Sequence, residues 1–390
     1  MSPSYRLGLA LMALVVVGAC ASTPRARMLP PPPVPLGEIG LAEAITFVAA
    51  DLTAQLGDSR TWLLAVDPLL DKTTGQQTVA SLRVQDELMQ ALSTTPSLMS
   101  VQDLGADTAE QTGLVGTGTL APGDAPGRYL LNVALTDRAS GIVVAQSVAR
   151  FREPNLDRSP TAFYRDSPSV VRDRTVEGYV RTAETPSGRL ADALYVEQLP
   201  TEALMATALD EYNAGRYDTA LTAYTTAAAR PNGQTLRTFN GLYLTNMRLN
   251  RAAEAEEAFG RIVTLGLATN NLAVKLLFLP GTTNFLADAN FSGAYPMWIR
   301  QISRGASASR ACLHIVGNTS ASGTLALNEA LSLARATAVR DLLQQEAPAL
   351  AGRLRVSGVG PQRNIVGTGA DDASDAIDRR VEFEVEDCRP

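Results

Sequence analysis

Apolar positions between Leu41 and Leu56 recur at helical spacing, Thr61–Val66 has strand character, Val79–Leu92 is an amphipathic helical run and Leu98–Val101 a short strand. Two further β runs, Arg128–Thr136 and Ile142–Phe151, flank the turn DRASG (Asp137–Gly141), which is a hairpin signal. These elements predict an α/β unit ending in antiparallel strands. The stretch 152–201 is polar, carries Pro154, Pro160, Pro168 and Pro186 and holds no sustained period, so it is expected to be a linker or a wrapped loop. From Thr201 to about Leu267 the pattern turns helical and repeats: Ala220, Tyr224 and Ala227 recur 35 residues on as Ala255, Phe259 and Ile262. The remainder reads strand Lys275–Leu279, helix Ala294–Ile302, strand Cys312–Gly317, long helix Ala326–Leu343, and strands RLRVSGVG (Arg353–Gly360) and RRVEFEV (Arg379–Val385). That βαβαββ order builds a mixed sheet covered on one face. The expected fold class is α+β multidomain: a leader at 1–19, a tether at 20–37, an α/β module at 38–155, a linker at 156–200, helical pairs at 201–268 and the βαβαββ domain at 270–390.

Composition narrows the function. With 19% charged and 45% hydrophobic residues, most of the 390-residue chain can bury a core. The net charge of -6 and the lack of a long basic run argue against nucleic acid as a partner. Basic charge is almost all arginine, with lysines only at positions 72 and 275. Arg6 precedes the apolar run Leu7–Val17, and Gly18 and Ala19 lead into Cys20, the pattern of a secretory leader. The run falls short of the ~20 residues that span a bilayer core. Residues 21–37 are proline-rich, with Pro30–Pro33 consecutive and Pro35 following, which gives a semi-rigid spacer.

Several stretches resemble known families. VVGAC (Val16–Cys20) resembles the lipobox of bacterial lipoproteins; this implies that Cys20 becomes the lipidated first residue, and Ala21 after it implies sorting to the outer membrane, facing the periplasm. The alternative is an ordinary leader with Cys20 unmodified. YLLNVALTD followed by SGIVVAQSVARF is similar to the periplasmic module of CsgG-like, LpoB-like and FlgO-like lipoproteins, which implies a docking unit for other envelope proteins. EYNAGRYDTALTAYTTAAARP resembles a tetratricopeptide repeat, and GLYLTNMRLNRAAEAEEAFGRIV is a looser second copy. Two copies fall below the roughly three that let a solenoid stand alone, so the pair is expected to lean on a neighbour. A peptide groove and a plain helical connector both remain open.

GNTSASGTLALNEALSLARATAVRDLL and DRRVEFEV resemble the OmpA-like carboxy-terminal domain, through Gly317, Thr319, Gly323, Asn328, Leu331, Ser332, Arg335, Ala336, Val339, Gly358, Gly360, Arg379 and Arg380. The resemblance implies a grip on the diaminopimelate residue of the peptidoglycan stem peptide, in which a loop acid meets the ammonium and a helix arginine the carboxylate. A zwitterion that loses water at both ends requires both charges. Arg335 supplies the cationic half and is expected to stand open beside the turn that starts its helix. Asn328, seven residues earlier, projects from the same helix face. Thr319, Ser320 and Arg379 complete the candidate set. The alternative for Arg335 is a stem laid on the core and a local ion pair.

The chain departs from the family in three places. Ser320 stands at the loop acid, with Asn318 at the histidine before it; LPGTTN (Leu279–Asn284) lacks the acid often found after the first strand; and Asp378 replaces asparagine before Arg379, where it could pair with an arginine. A serine offers no countercharge, so weaker or altered recognition is expected. If the last strand runs antiparallel to the second, Cys388 comes near Cys312, in a compartment where a disulfide persists; two separate thiols are the alternative.

Nothing points to catalysis. His314 is the only histidine and sits in an apolar strand, as a satisfied core residue would. With two cysteines left after Cys20, it cannot make a usual zinc site. No nucleophile elbow or phosphate cradle occurs, and the glycines of GLVGTG (Gly113–Gly118) shape a strand or turn. No metal or cofactor is expected.

Overall fold

The computed structural model describes residues 39–57, 61–169, 172–286, 294–309, 311–365, 367, 369 and 374–388. The leader, Cys20 and the proline-rich tether lie outside the described residues.

The amino-terminal part comprises α1 (Leu41–Leu56), β1 (Trp62–Val66), β2 (Leu70–Asp71), α2 (Val79–Ser93), β3 (Leu98–Asp103), β4 (Leu114–Pro122), β5 (Arg128–Asp137) and β6 (Val143–Arg152). The sheet runs β3-β1-β4-β5-β6, with β2 beside β4. β1 pairs in parallel with β3 and β4, and the last three strands form an antiparallel meander. One face buries Leu114, Leu131, Val133, Leu135 and Ala145 against Ile45, Val48 and Leu52 of α1 and Val84 and Leu88 of α2. The GLVGTG glycines fall mostly in β4, where a Cβ on Gly118 would lie 2.8 Å from Leu69.

The opposite face carries Thr117, Thr119, Asn132 and Thr136, all buried. What covers it corrects the expected linker at 156–200. That stretch folds into α3 (Ala162–Asp166), α4 (Arg174–Ala183) and the first turns of α5 (Ala193–Asn213). The latter two helices start at side-chain caps: Asp173 accepts from the Thr175 and Val176 amides, and Asp192 from those of Leu194 and Tyr195. Val176, Tyr179, Val180, Tyr195 and Leu199 then bury against Leu70 and Val115. The Tyr179 hydroxyl accepts from the Gly118 amide and donates to the Pro68 carbonyl. In α4 the buried Val176, Tyr179, Val180 and Ala183 keep helical spacing, but the stripe is short and lies in a proline-broken stretch.

Next come α6 (Tyr217–Ala228), α7 (Leu236–Arg248) and α8 (Ala252–Ala268). The repeated positions are equivalent in burial: Ala220, Tyr224, Ala227, Ala255, Phe259 and Ile262 are all at most 1% exposed. Gly241 leaves room for the Tyr224 ring, which a Cβ would meet at 2.3 Å.

The carboxy-terminal part contains β7 (Leu276–Leu277), α9 (Tyr295–Ala308), β8 (Ala311–Gly317), α10 (Leu325–Glu346), β9 (Leu354–Gly358) and β10 (Arg380–Asp387). Its sheet runs β7-β10-β8-β9, with β8 parallel to β9 and antiparallel to β10. This is the expected βαβαββ order, and the whole is an α+β fold. The helical pairs share one core with this sheet: Phe259 stacks on Trp298 at 5.4 Å, and the Trp298 indole donates to Tyr243 at 2.9 Å. Cys312 and Cys388 form a disulfide that ties the last strand to β8.

Candidate functional site

The candidate residues gather where β8 ends and α10 begins. Two glycines let the helix lie on the strands: a Cβ on Gly317 would fall 1.9 Å from the Ser332 carbonyl oxygen, and one on Gly358 2.3 Å from the Leu333 nitrogen. The chain after β8 is then clamped on both sides, with the Asn318 amide donating to the Arg380 carbonyl and the Thr319 amide to that of Gly360. Thr324 caps α10 by accepting from the Leu327 amide. Asn328 reaches back from the first turn and donates to the Ser322 carbonyl at 2.8 Å. Asn328, Ser332 and Arg335 occupy one buried stripe of the helix.

Arg335 does not stand open as expected. It is fully buried at 0% exposure. Its Nε donates to the Thr282 carbonyl at 2.9 Å, one terminal nitrogen to the Leu279 carbonyl at 2.9 Å and the other to the Asn318 carbonyl at 3.1 Å. The guanidinium carbon also lies 5.2 Å from the Phe278 ring centre. The LPGTTN segment, noted for its missing acid, is the tip of a hairpin whose backbone carbonyls face the cation. No side-chain pattern marks such a role, so the sequence reading missed it.

In the chain segment whose Asn318 carbonyl meets this cation, two buried polar side-chain atoms have no hydrogen-bond partner, the Asn318 amide oxygen and the Thr319 hydroxyl. Their residues are 0% and 2% exposed. Ser320 is also buried, and its hydroxyl is 3.2 Å from that of Ser322. Arg379 is buried as well, with Nε donating to the Phe278 carbonyl at 3.3 Å. Asp378 receives the amides of Ile365 and Gly367. His314, on the sheet face away from α10, hydrogen-bonds through its two ring nitrogens to Glu384 and Ser357, each at 2.7 Å.

Two further buried titratable groups lie apart from this site. Lys275, just before β7, is 6% exposed, and burial, aided by the neighbouring Arg380 charge, pushes its amine down to about 7. Asp67, just after β1, accepts from the Tyr195 hydroxyl at 2.6 Å. Burial and then the Glu202 charge push its carboxyl up to about 7.

No family model and no curated protein matches the chain. Solved structures do match parts of it. The peptidoglycan-associated lipoprotein from Burkholderia pseudomallei is 24% identical over 30% of this chain and 92% of that one, with a TM-score of 0.26. The cell wall anchor of the T6SS from Pseudomonas aeruginosa is 26% identical over 28% and 73% respectively, with a TM-score of 0.23. The LpoB C-terminal domain from Salmonella enterica is 12% identical over 29% and 98%, with a TM-score of 0.25. Structural neighbours of this chain thus include OmpA-like domains of the peptidoglycan-associated lipoprotein type, over about 30% of its length. No helix among the described residues is long and apolar enough to cross a membrane.

Proposed function

We propose that the protein is a non-catalytic envelope lipoprotein, held in the outer membrane by lipid on Cys20, whose carboxy-terminal domain binds the diaminopimelate end of the peptidoglycan stem peptide. In this reading the amino-terminal sheet and the helical pairs dock other envelope proteins. The observation that carries it is the Arg335 guanidinium bonded to the Asn318 main chain, in a segment where Asn318 Oδ1 and the neighbouring Thr319 Oγ1 are buried without hydrogen-bond partners. An unmade buried hydrogen bond costs roughly 1–3 kcal/mol, so such atoms on adjacent residues favour a polar ligand. A zwitterion fits: its carboxylate meets Arg335, and its ammonium meets two neutral acceptors in place of the acid that Ser320 lacks.

Co-sedimentation of the detergent-solubilised full chain with purified sacculi tests this. The wild type is expected to sediment, free diaminopimelate to compete, and Thr319→Val to weaken binding about tenfold, the order expected for one buried polar contact. Failure of the wild type to sediment sinks the reading.

One observation favours a second reading, an assembly scaffold with altered wall binding: the Ser320 hydroxyl lies against Ser322 and supplies no charge. On that reading Ser320→Asp creates or strongly raises sacculus binding, and an unchanged result argues against it.

A further inference from the structure

We infer that the hairpin tip Leu279–Asn284 is a carbonyl lid that occupies the Arg335 guanidinium in the empty protein and must lift before a ligand carboxylate can bind. The inference rests on the proposed wall-binding site and adds how that site is regulated.

The geometry separates a fixed base from a tip with few anchors. At the base, Phe278 and Phe285 form a bridge, and Phe285 lies 5.0 Å from the Phe278 ring and 4.6 Å from that of Tyr295, inside the aromatic core. The Leu286 amide also donates to the Leu277 carbonyl at 2.8 Å. Beyond the base the chain is a surface turn, with Pro280, Gly281, Thr283 and Asn284 exposed. It is closed by the Leu279 amide on the Asn284 carbonyl and by a longer 3.3 Å bond from the Thr282 amide to the Leu279 carbonyl. What draws the tip inward is Arg335, which holds the Leu279 and Thr282 carbonyls at 2.9 Å each.

The guanidinium is wholly buried and two of its bonds go to this turn, so a carboxylate that reaches that edge takes the place of a tip carbonyl. A carboxylate is the stronger acceptor, since both partners are then ionised. Apparent affinity is therefore the intrinsic affinity reduced by the fraction of molecules with the lid raised.

Gly281 provides a test that leaves the binding groups untouched. It sits at φ +66, a left-handed conformation that disfavours side chains, with open space where a Cβ would go. Gly281→Ala therefore strains the closed turn without filling the site, and is expected to raise the open fraction roughly fivefold. Sacculus binding by the full chain should tighten by up to the same factor, although the substitution is locally destabilising. Hydrogen exchange at the Leu279 and Thr282 amides should quicken in the ligand-free variant.

Wild-type or weaker binding by Gly281→Ala, together with faster exchange, would overturn the lid. If the wild type does not bind sacculi at all, the wall-binding reading fails and exchange alone decides the lid. Arg335→Lys, which keeps the charge but loses the fork, should then quicken exchange at 279–282 about tenfold with no ligand present. Unchanged exchange there refutes the latch.

Discussion

Lys275→Met should make the protein more stable, and by an amount that depends on pH. The lysine is 6% exposed, its amine has no hydrogen-bond or ion-pair partner among the described residues, and a charged neighbour is another cation, Arg380. Lowering the amine from 10.5 to about 7 means that the folded chain resists a proton that the unfolded chain accepts. At ~1.4 kcal/mol per tenfold change in proton affinity, the folded state is disfavoured by roughly 4–5 kcal/mol at pH 6 as an upper limit. The folded state binds fewer protons than the unfolded one between pH 7 and 10.5, so wild-type stability from this group rises with pH in that window. Methionine keeps the unbranched stem, fills similar volume and has no charge to desolvate. Urea unfolding of both proteins at pH 6.5 and 9.5 should show the methionine variant ahead by roughly 3–4 kcal/mol at the lower pH and by only about 1–2 at the higher. A variant no more stable than wild type at pH 6.5, or a difference that ignores pH, would refute the reasoning.

Asp67 gives the opposite slope in a lower window. Its folded value of about 7 lies above the ordinary 3.8, so its stabilising contribution is full below about pH 4 and is lost as pH rises towards 7; Asp67→Asn should flatten the stability profile between pH 5 and 7.5, and parallel profiles would contradict this. The Cys312–Cys388 bridge spans 76 residues, so replacing both cysteines with serine should cost about 4 kcal/mol in the chain-entropy picture, read by thermal melting with and without reductant. Gly317→Ala drives a methyl to 1.9 Å from the Ser332 carbonyl oxygen and should destabilise by more than about 3 kcal/mol; a near-neutral result by denaturant titration would mean that α10 is not seated as described.

Much of this architecture is legible in the sequence, for identifiable reasons. Periodicity locates α1 and α2 because each lays one apolar stripe on a sheet, and the DRASG turn marks the β5–β6 hairpin. The segment 156–200 is misread because its prolines outweigh the short apolar stripe Val176, Tyr179, Val180 and Ala183 of α4. Its usable signals were the capping residues Asp173 and Asp192 and the buried Tyr179 and Tyr195. At the candidate site, the motif residues on α10 and the glycines that seat it can be read from side-chain identity. The closed state of Arg335 cannot, because three of its bonds go to main-chain oxygens, those of Leu279, Thr282 and Asn318, which every residue type possesses.

Helix α5 joins two interiors: its early residues Tyr195 and Leu199 sit in the cluster against the amino-terminal sheet, and its later residues Met205, Leu209 and Tyr212 sit in the core that continues to the carboxy-terminal sheet. At 21 residues it is a strut of about 30 Å. Force arriving at one sheet is therefore borne as shear across packed rings, where a flexible connector would simply extend. Tension between the two sheets is thus carried with little slack.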